Sequence, residues 1–248
     1  MPKRHEETQE TGAKEGGRPD FAHVDVWIFD LDNTLYPASS DLFSQIDRRM
    51  TAFLAEKFGV GSDEARRIQK DYYRDHGTTL NGLINVHGDD PEPYLAFVHD
   101  IDLSVLPRDH ALDAALARLP GRKLVHTNGS TEHAGRVMER LGIAHHFEDV
   151  FDIRASSFTP KPNPLSYDRL LARHGVLPAR AALFEDIVRN LAPARALGMT
   201  TVWVRNDSPW SKQGPLFPAH DLSHVDHVAE DLSPFLASLK LATDPHDD

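Results

Sequence analysis

Short, mostly apolar runs alternate along the chain with longer stretches in which apolar residues recur every three or four positions. The runs are Val24–Phe29, Lys123–His126, Ala181–Phe184 and Thr200–Val204. Polar residues bound each run, which is typical of strands buried on both faces of a sheet. The helical stretches are Glu132–Leu141, Pro164–Arg173 and Leu191–Leu197. Each stops at or just before a glycine, as helices commonly do. This alternation predicts βαβ units and a parallel sheet.

The segment from Pro37 to Arg108 departs from the alternation, because it holds helical patterns and no strand candidate. We predict a first helix that ends at Gly59, a second with Ser62 as its N-cap, and two shorter ones. The apolar face of the first helix consists of Leu42, Phe43, Ile46, Met50, Phe53 and Leu54. A crossover between parallel strands needs about 30 residues, and this gap is about three times as long. We therefore predict an α/β, Rossmann-like parallel sheet with a helical cap subdomain inserted after the first strand.

The same patterns set the predicted domain boundaries. The core takes residues 23–36 and 109–240, and the cap takes residues 37–108. Residues 1–22 are rich in Glu, Lys, Thr and Gly without an apolar period, so we predict a disordered tail. Residues 241–248 are predicted to fray as a second tail.

Composition narrows the classes of function. The 27 Lys and Arg residues face 38 Asp and Glu residues, a net charge of -11 that argues against a nucleic-acid polymer as partner. Cysteine is absent, which excludes disulfides, Cys-ligated zinc and thiol catalysis. No apolar run is long enough to span a membrane and no signal peptide is visible, so we expect a cytoplasmic protein.

Acidic side chains follow the first and the third of these apolar runs. Asp30 and Asp32 end the first strand, and they point to the same side because neighbouring residues on a strand alternate. Glu185 and Asp186 end the strand that begins at Ala181. Ligands of open α/β sheets bind beyond the carboxyl ends of the strands. Oxygen ligands without Cys favour Mg²⁺, so we predict a magnesium site here.

Two further segments supply groups suited to an anion. Thr127, Asn128 and Gly129 follow the second strand and precede a helix, where free N–H groups and a hydroxyl can bind phosphate. Lys161 lies between two prolines, which restrict its backbone at the entry to a helix. A lysine presented in this way is suited to neutralising a phosphate group.

The ordered set formed by Asp30-x-Asp32-x-Thr34, Thr127-Asn128, Lys161 and Glu185-Asp186 resembles the four motifs of the haloacid dehalogenase superfamily of phosphohydrolases. The resemblance implies a Rossmann-like core, a mobile cap and phosphoric monoester hydrolysis. It implies Asp30 as the nucleophile, Asp32 as the general acid and base, and Lys161 as a third catalytic residue. It also implies that Mg²⁺ is held by the Asp30 and Asp186 carboxylates, the Asp32 carbonyl and, through water, Glu185.

The predicted cap resembles one branch of that superfamily more closely. The stretch from Tyr72 to Leu83, which includes Tyr73 and Gly77, is similar to a helix of the pyrimidine 5′-nucleotidase family. This implies hydrolysis of UMP and CMP, with Tyr72, Tyr73 and Gly77 near the substrate. An alternative is a phosphatase or phosphomutase acting on a small sugar phosphate or phosphoglycolate, because such enzymes share the four motifs and differ in the cap. Either way the expected partner is a small phosphate ester.

Overall fold

The computed structural model describes residues 18–206 and 221–244, and these residues contain six β-strands. The strands are β1 (Val26–Phe29), β2 (Arg122–His126), β3 (Asp149–Phe151), β4 (Ala181–Glu185), β5 (Thr200–Val204) and β6 (His227–Ala229). All pair in parallel, in the order β3-β2-β1-β4-β5-β6. The predicted α/β, Rossmann-like parallel sheet is therefore confirmed. β3 and β6 were not predicted; they have three residues each and lie at the two edges of the sheet.

Helices cover both faces of the sheet because residues on a strand alternate in direction. On β1, Trp27 and Phe29 join one hydrophobic cluster, and Val26 and Ile28 join the other. The first cluster includes residues of α5 (His110–Arg118), α6 (Thr131–Leu141) and α9 (Leu232–Ser238). The second includes residues of α7 (Pro164–His174) and α8 (Val188–Leu197). Burial on both sides explains why β1 reads as a continuous apolar run.

Four helices lie between β1 and α5 and share a third hydrophobic cluster. They are α1 (Leu42–Phe58), α2 (Ser62–His76), α3 (Thr79–His87) and α4 (Pro91–Val98). Gly59 closes α1 in a left-handed conformation, as predicted. The N-cap of α2 is Gly61 and not Ser62, which is already the first helical residue and is followed by two acidic residues that suit a helix start. We refer to α1–α4 as the cap helices.

Parts of both predicted tails pack against the folded core. Phe21 is fully buried, and its ring packs on Trp27 and Phe184 in the first cluster. Asp20 forms a parallel bridge with Lys240, and Leu241 is also buried. The assignment of residues 18–22 and 241–244 to tails is therefore wrong. Phe21 and Leu241 are single apolar residues in polar sequence, so no apolar pattern indicated these contacts. The remainder of both predicted tails lies outside the described residues. Within the described ranges, no helix is both long and apolar enough to cross a bilayer.

Candidate active site

The carboxyl ends of β1, β2 and β4 bring the predicted core residues to one edge of the sheet. Asp30, Asp32, Asn128, Lys161 and Asp186 all line one cavity, together with the remaining core residues Thr127, Gly129 and Glu185. The cavity has a volume of about 160 Å³ and lies between this edge and the cap helices. Parallel strands end at a common edge, so residues up to 156 positions apart in sequence become neighbours.

Lys161 is the centre of the hydrogen bonding in this cavity. Its Nζ donates to Asp30 Oδ1 at 2.6 Å, to Glu185 Oε2 at 2.7 Å and to the His126 carbonyl at 2.7 Å. The side chain is almost fully buried, but each of its three ammonium protons has an acceptor. These hydrogen bonds fix the position of the ammonium group. Burial opposes the charge, but Asp30 and Glu185 outweigh it and raise the pKa of Lys161.

Asp30 is held at both carboxylate oxygens. Besides the Lys161 contact on Oδ1, Oδ2 accepts a hydrogen bond from Thr34 Oγ1 at 3.1 Å. The Asp30 backbone N–H donates to the Phe184 carbonyl, which ties the residue to β4. Burial and the nearby Glu185 carboxylate raise the pKa of Asp30 to about 7, against the opposing effect of Lys161. The orientation of this carboxylate is therefore set by protein contacts before any ligand binds.

Three carboxylates form an oxygen-only group that can hold a cation. Side-chain oxygens of Asp30, Glu185 and Asp186 lie within 4.8 Å of one another, and all three residues are buried. Burial and the neighbouring acids raise the pKa of Asp186 well above its usual range. Buried acids that repel one another fit a hard divalent cation. The Asp32 carboxylate is not part of this group. The metal contact expected of Asp32 is through its backbone carbonyl, and it stays a prediction.

Asp32 has partners different from those of Asp30. Its Oδ1 accepts from the Tyr36 hydroxyl at 2.6 Å and contacts His133 Nε2 at 2.9 Å. Burial favours the neutral acid, but His133 and Tyr36 overcome that effect and lower the pKa of Asp32. The sequence analysis did not find the His133 contact. His133 lies in the first turn of α6, which starts close after the end of β2. Its position just after a strand end is the feature of the sequence from which this contact could have been predicted.

Thr127, Asn128 and Gly129 form a tight loop between β2 and α6. The Gly129 N–H donates to Thr127 Oγ1 at 2.9 Å. Asn128 Oδ1 accepts from the Lys161 backbone N–H at 2.9 Å, which joins this loop to the Lys161 segment. The loop and the lysine therefore form one polar wall of the cavity.

The cap helices bring only one of the three predicted cap residues to the cavity. Tyr73 lines it, and its ring lies under the Arg189 guanidinium at 4.6 Å from the ring centroid. Tyr72 lies outside the lining and contacts His87 through its hydroxyl at 2.6 Å. Its ring also packs against Gly82. Gly77 lies outside the lining as well, near Pro160.

Comparisons with known proteins agree with this architecture. Residues 24–198 match the family model described as haloacid dehalogenase-like hydrolase. The chain is 30% identical over 190 residues to "Phosphate metabolism protein 8" of Saccharomyces cerevisiae, covering 70% of this chain and 59% of that protein. It is also 30% identical over 195 residues to "Glyceraldehyde 3-phosphate phosphatase" of Methanopyrus kandleri, covering 72% of this chain and 82% of that protein.

Solved structures share the fold at lower sequence identity. The HAD phosphatase from Thermococcus onnurineus superposes with a TM-score of 0.57 at 20% identity, covering 84% of this chain and 94% of its own. CbbY from Rhodobacter sphaeroides, solved in complex with phosphate, gives a TM-score of 0.58 at 17% identity, covering 88% and 100%. These similarities extend over the sheet and the inserted helices together. The chain spans 59% of the yeast relative's length.

Proposed function

The chain belongs to the haloacid dehalogenase-like hydrolases, and we propose that it is a phosphomonoesterase that works through an aspartyl-phosphate on Asp30. One observation carries the proposal. Lys161 bridges Asp30 and Glu185 at a cavity that Asp32 also lines, so a buried carboxylate, an ammonium group and a second acid lie close together. A fixed nucleophile beside an acid–base group is the arrangement that covalent catalysis requires.

The reaction has two balanced steps. An oxygen of Asp30 attacks the phosphorus, and the bond between phosphorus and the ester oxygen breaks as Asp32 gives that oxygen a proton. Asp32 then takes a proton from water, whose oxygen attacks the phosphorus and breaks the bond to Asp30. Inorganic phosphate is released and both acids return to their starting states. General acid–base assistance of this kind contributes about 10²–10⁴-fold.

The substrate phosphate needs positive charge and hydrogen-bond donors in a cavity with surplus acid. We assign donors to the Asn128 side chain and the Thr127–Gly129 loop. Lys161 Nζ, whose three protons are bonded to protein acceptors, supplies positive charge beside them. Mg²⁺, for which the Asp30, Glu185 and Asp186 carboxylates are a suitable set, supplies positive charge that offsets repulsion between phosphate and carboxylate. The residues present fit the ion by donor type and by burial.

For the substrate, we propose pyrimidine 5′-monophosphates. Apolar cap side chains line part of the cavity: Phe43, Ile46, Met50, Leu80, Leu95 and Val98. Tyr73 adds an aromatic ring at the same cavity, and stacking of a base on such a ring gains about 1–3 kcal/mol. The cap also contributes polar lining residues, among them Asp47, Gln69 and Lys70, and a lining of aromatic, apolar and polar side chains suits a heterocyclic base with polar edge atoms. This choice also agrees with the nucleotidase-like cap sequence.

A small sugar phosphate is the second candidate, favoured by two observations. One relative carries the name glyceraldehyde 3-phosphate phosphatase. The cavity volume of about 160 Å³ is also below the range of about 300–1,000 Å³ that is common for ligand pockets. A substrate of three carbons is nearer to that volume than a nucleotide is.

One panel of substrates separates the two candidates. We expect phosphate release to depend on Mg²⁺ and to stop in EDTA, and kcat/KM for UMP and CMP to exceed that for AMP and GMP by at least about tenfold. Glyceraldehyde 3-phosphate and phosphoglycolate belong in the same panel. A preference for either of them would favour the sugar-phosphate candidate, and no release from any monoester would refute the phosphatase proposal.

A further inference from the structure

We infer that His133 is a positioning residue for Asp32, holding one carboxylate oxygen so that the other is the one that exchanges a proton with the substrate. The assignment rests on the proposed phosphatase function. Asp32 lines the cavity and its side chain keeps 16% of its surface exposed, whereas His133 is fully buried beside it. His133 is therefore out of reach of the substrate and can act on the reaction only through Asp32.

Both hydrogen bonds to the Asp32 carboxylate end on the same oxygen. Tyr36 and His133 approach Oδ1 at 2.6 and 2.9 Å. An ionised carboxylate can only accept, so we assign the His133 Nε2–H as a donor. Among the described residues no donor is bonded to Oδ2. Rotation of the Asp32 side chain would break both hydrogen bonds at once, so Oδ2 keeps one orientation.

His133 is itself held by its neighbours. Its ring stacks on His99, with centroids 4.4 Å apart and planes 4° from parallel. Ser130 Oγ connects the two residues, accepting from the His133 backbone N–H at 3.3 Å and lying 3.1 Å from His99 Nδ1. A ring that is fully buried and stacked cannot swing away from Asp32 without displacing His99. The position of Nε2 is therefore fixed by packing.

Asp32 serves as base for every substrate in the second step, but in the first step its position matters only for leaving groups that need a proton. An alkoxide leaves with difficulty unless Asp32 protonates it, whereas p-nitrophenolate is a stabilised anion that leaves without help. A mispositioned Asp32 should therefore slow alkyl esters far more than p-nitrophenyl phosphate. A variant that is merely misfolded loses active enzyme, which lowers both activities by the same factor.

The test compares His133→Leu, His133→Gln and Tyr36→Phe with the wild type. The substrates are p-nitrophenyl phosphate and whichever of UMP and glyceraldehyde 3-phosphate, both alkyl esters, the wild type hydrolyses faster. We expect His133→Leu to lower kcat/KM, which reports phosphoenzyme formation, at least about tenfold more for the alkyl ester than for p-nitrophenyl phosphate. His133→Gln, which retains an N–H donor, should recover most of that difference. Tyr36→Phe removes the second donor with little change in shape and should act in the same direction as His133→Leu.

His146→Leu is the matched control, because His146 also contacts an aspartate, Asp113, at 2.7 Å but lies outside the cavity lining. It should leave the ratio of the two activities unchanged. Equal losses on both substrates in His133→Leu and Tyr36→Phe, or no loss in either variant, would overturn the positioning role while leaving the phosphatase proposal intact. A wild type that releases phosphate from neither ester type would overturn both.

Discussion

We expect metal binding at the three buried carboxylates, Asp30, Glu185 and Asp186, to depend strongly on pH. Burial and Glu185 raise the pKa of Asp30 to about 7, and the pKa of Asp186 is raised as well. A divalent cation binds the ionised carboxylates, so protons compete with it below that pKa. We expect Mg²⁺ to stabilise the folded protein much more at about pH 8 than at about pH 5.5.

The size of the difference follows from the Asp30 pKa of about 7. A cation at about 100 times its dissociation constant adds about 3 kcal/mol to the free energy of unfolding. For a chain of this size that raises Tm by about 5–10 °C. At about pH 5.5, protonation of Asp30 weakens the apparent affinity by about 30-fold, which removes about 2 kcal/mol. The Tm increase should then fall to about 2–4 °C.

Thermal unfolding of the whole chain, with EDTA or with Mg²⁺ at both pH values, measures this directly. Asp186→Asn should remove most of the Mg²⁺ effect, and Glu139→Gln, which changes an exposed acid on α6, should keep it. The metal-free protein gives an internal check of sign. Between about pH 4 and 7, Asp30 is protonated in the folded state and ionised in the unfolded state. The free energy of unfolding of the metal-free protein should therefore fall as pH rises through that range. Equal Tm increases at both pH values would refute the reasoning.

Three further changes test separate parts of the structure. Asp30→Asn should remain folded and release no phosphate from p-nitrophenyl phosphate, because an amide cannot form the phosphoenzyme; activity above about 1% of wild type would contradict its role as nucleophile. Phe21→Ala should lower the free energy of unfolding by about 3–5 kcal/mol in a denaturant titration, since it empties a fully buried site; a loss below about 1 kcal/mol would count against residues 18–22 as core. Tyr73→Ala should reduce the preference for UMP over AMP more than it reduces hydrolysis of p-nitrophenyl phosphate, and Tyr72→Ala, at a residue outside the cavity lining, should leave that preference unchanged.

The sheet and the core of the site were predictable because each depends on local sequence and simple topology. β1 and β4 are buried on both faces, so each reads as an unbroken apolar run. Polar residues that follow such runs meet at one edge, which brought Asp30 and Asp186 together. β3 has three residues, of which only Phe151 is fully buried, and so carries no comparable signal.

The cap contacts were harder to predict because adjacent helix residues face different directions. Tyr72 and Tyr73 are neighbours on α2, and successive residues on a helix do not share a face. The sequence could place both on the same helix, but it could not decide which of them turns toward the cavity. The structure assigns that position to Tyr73, and Tyr72 instead packs over Gly82 within the cap helices.

The two acids to which we assign catalytic roles, Asp30 and Asp32, differ in which parts of the fold hold them. Asp30 is held by Lys161, Thr34 and the backbone of β4, all of which belong to the sheet and its loops. The support of Asp32 passes through His133 to His99, which is the C-cap of the last cap helix, α4. Changes at the end of α4 can therefore alter proton transfer to the leaving group without altering the nucleophile. The same helix also lines the cavity. On the proposed mechanism, substitutions in α4 can therefore change both the leaving group that the cavity accepts and the position of the acid that protonates it. The residues that bind the phosphate would stay unchanged.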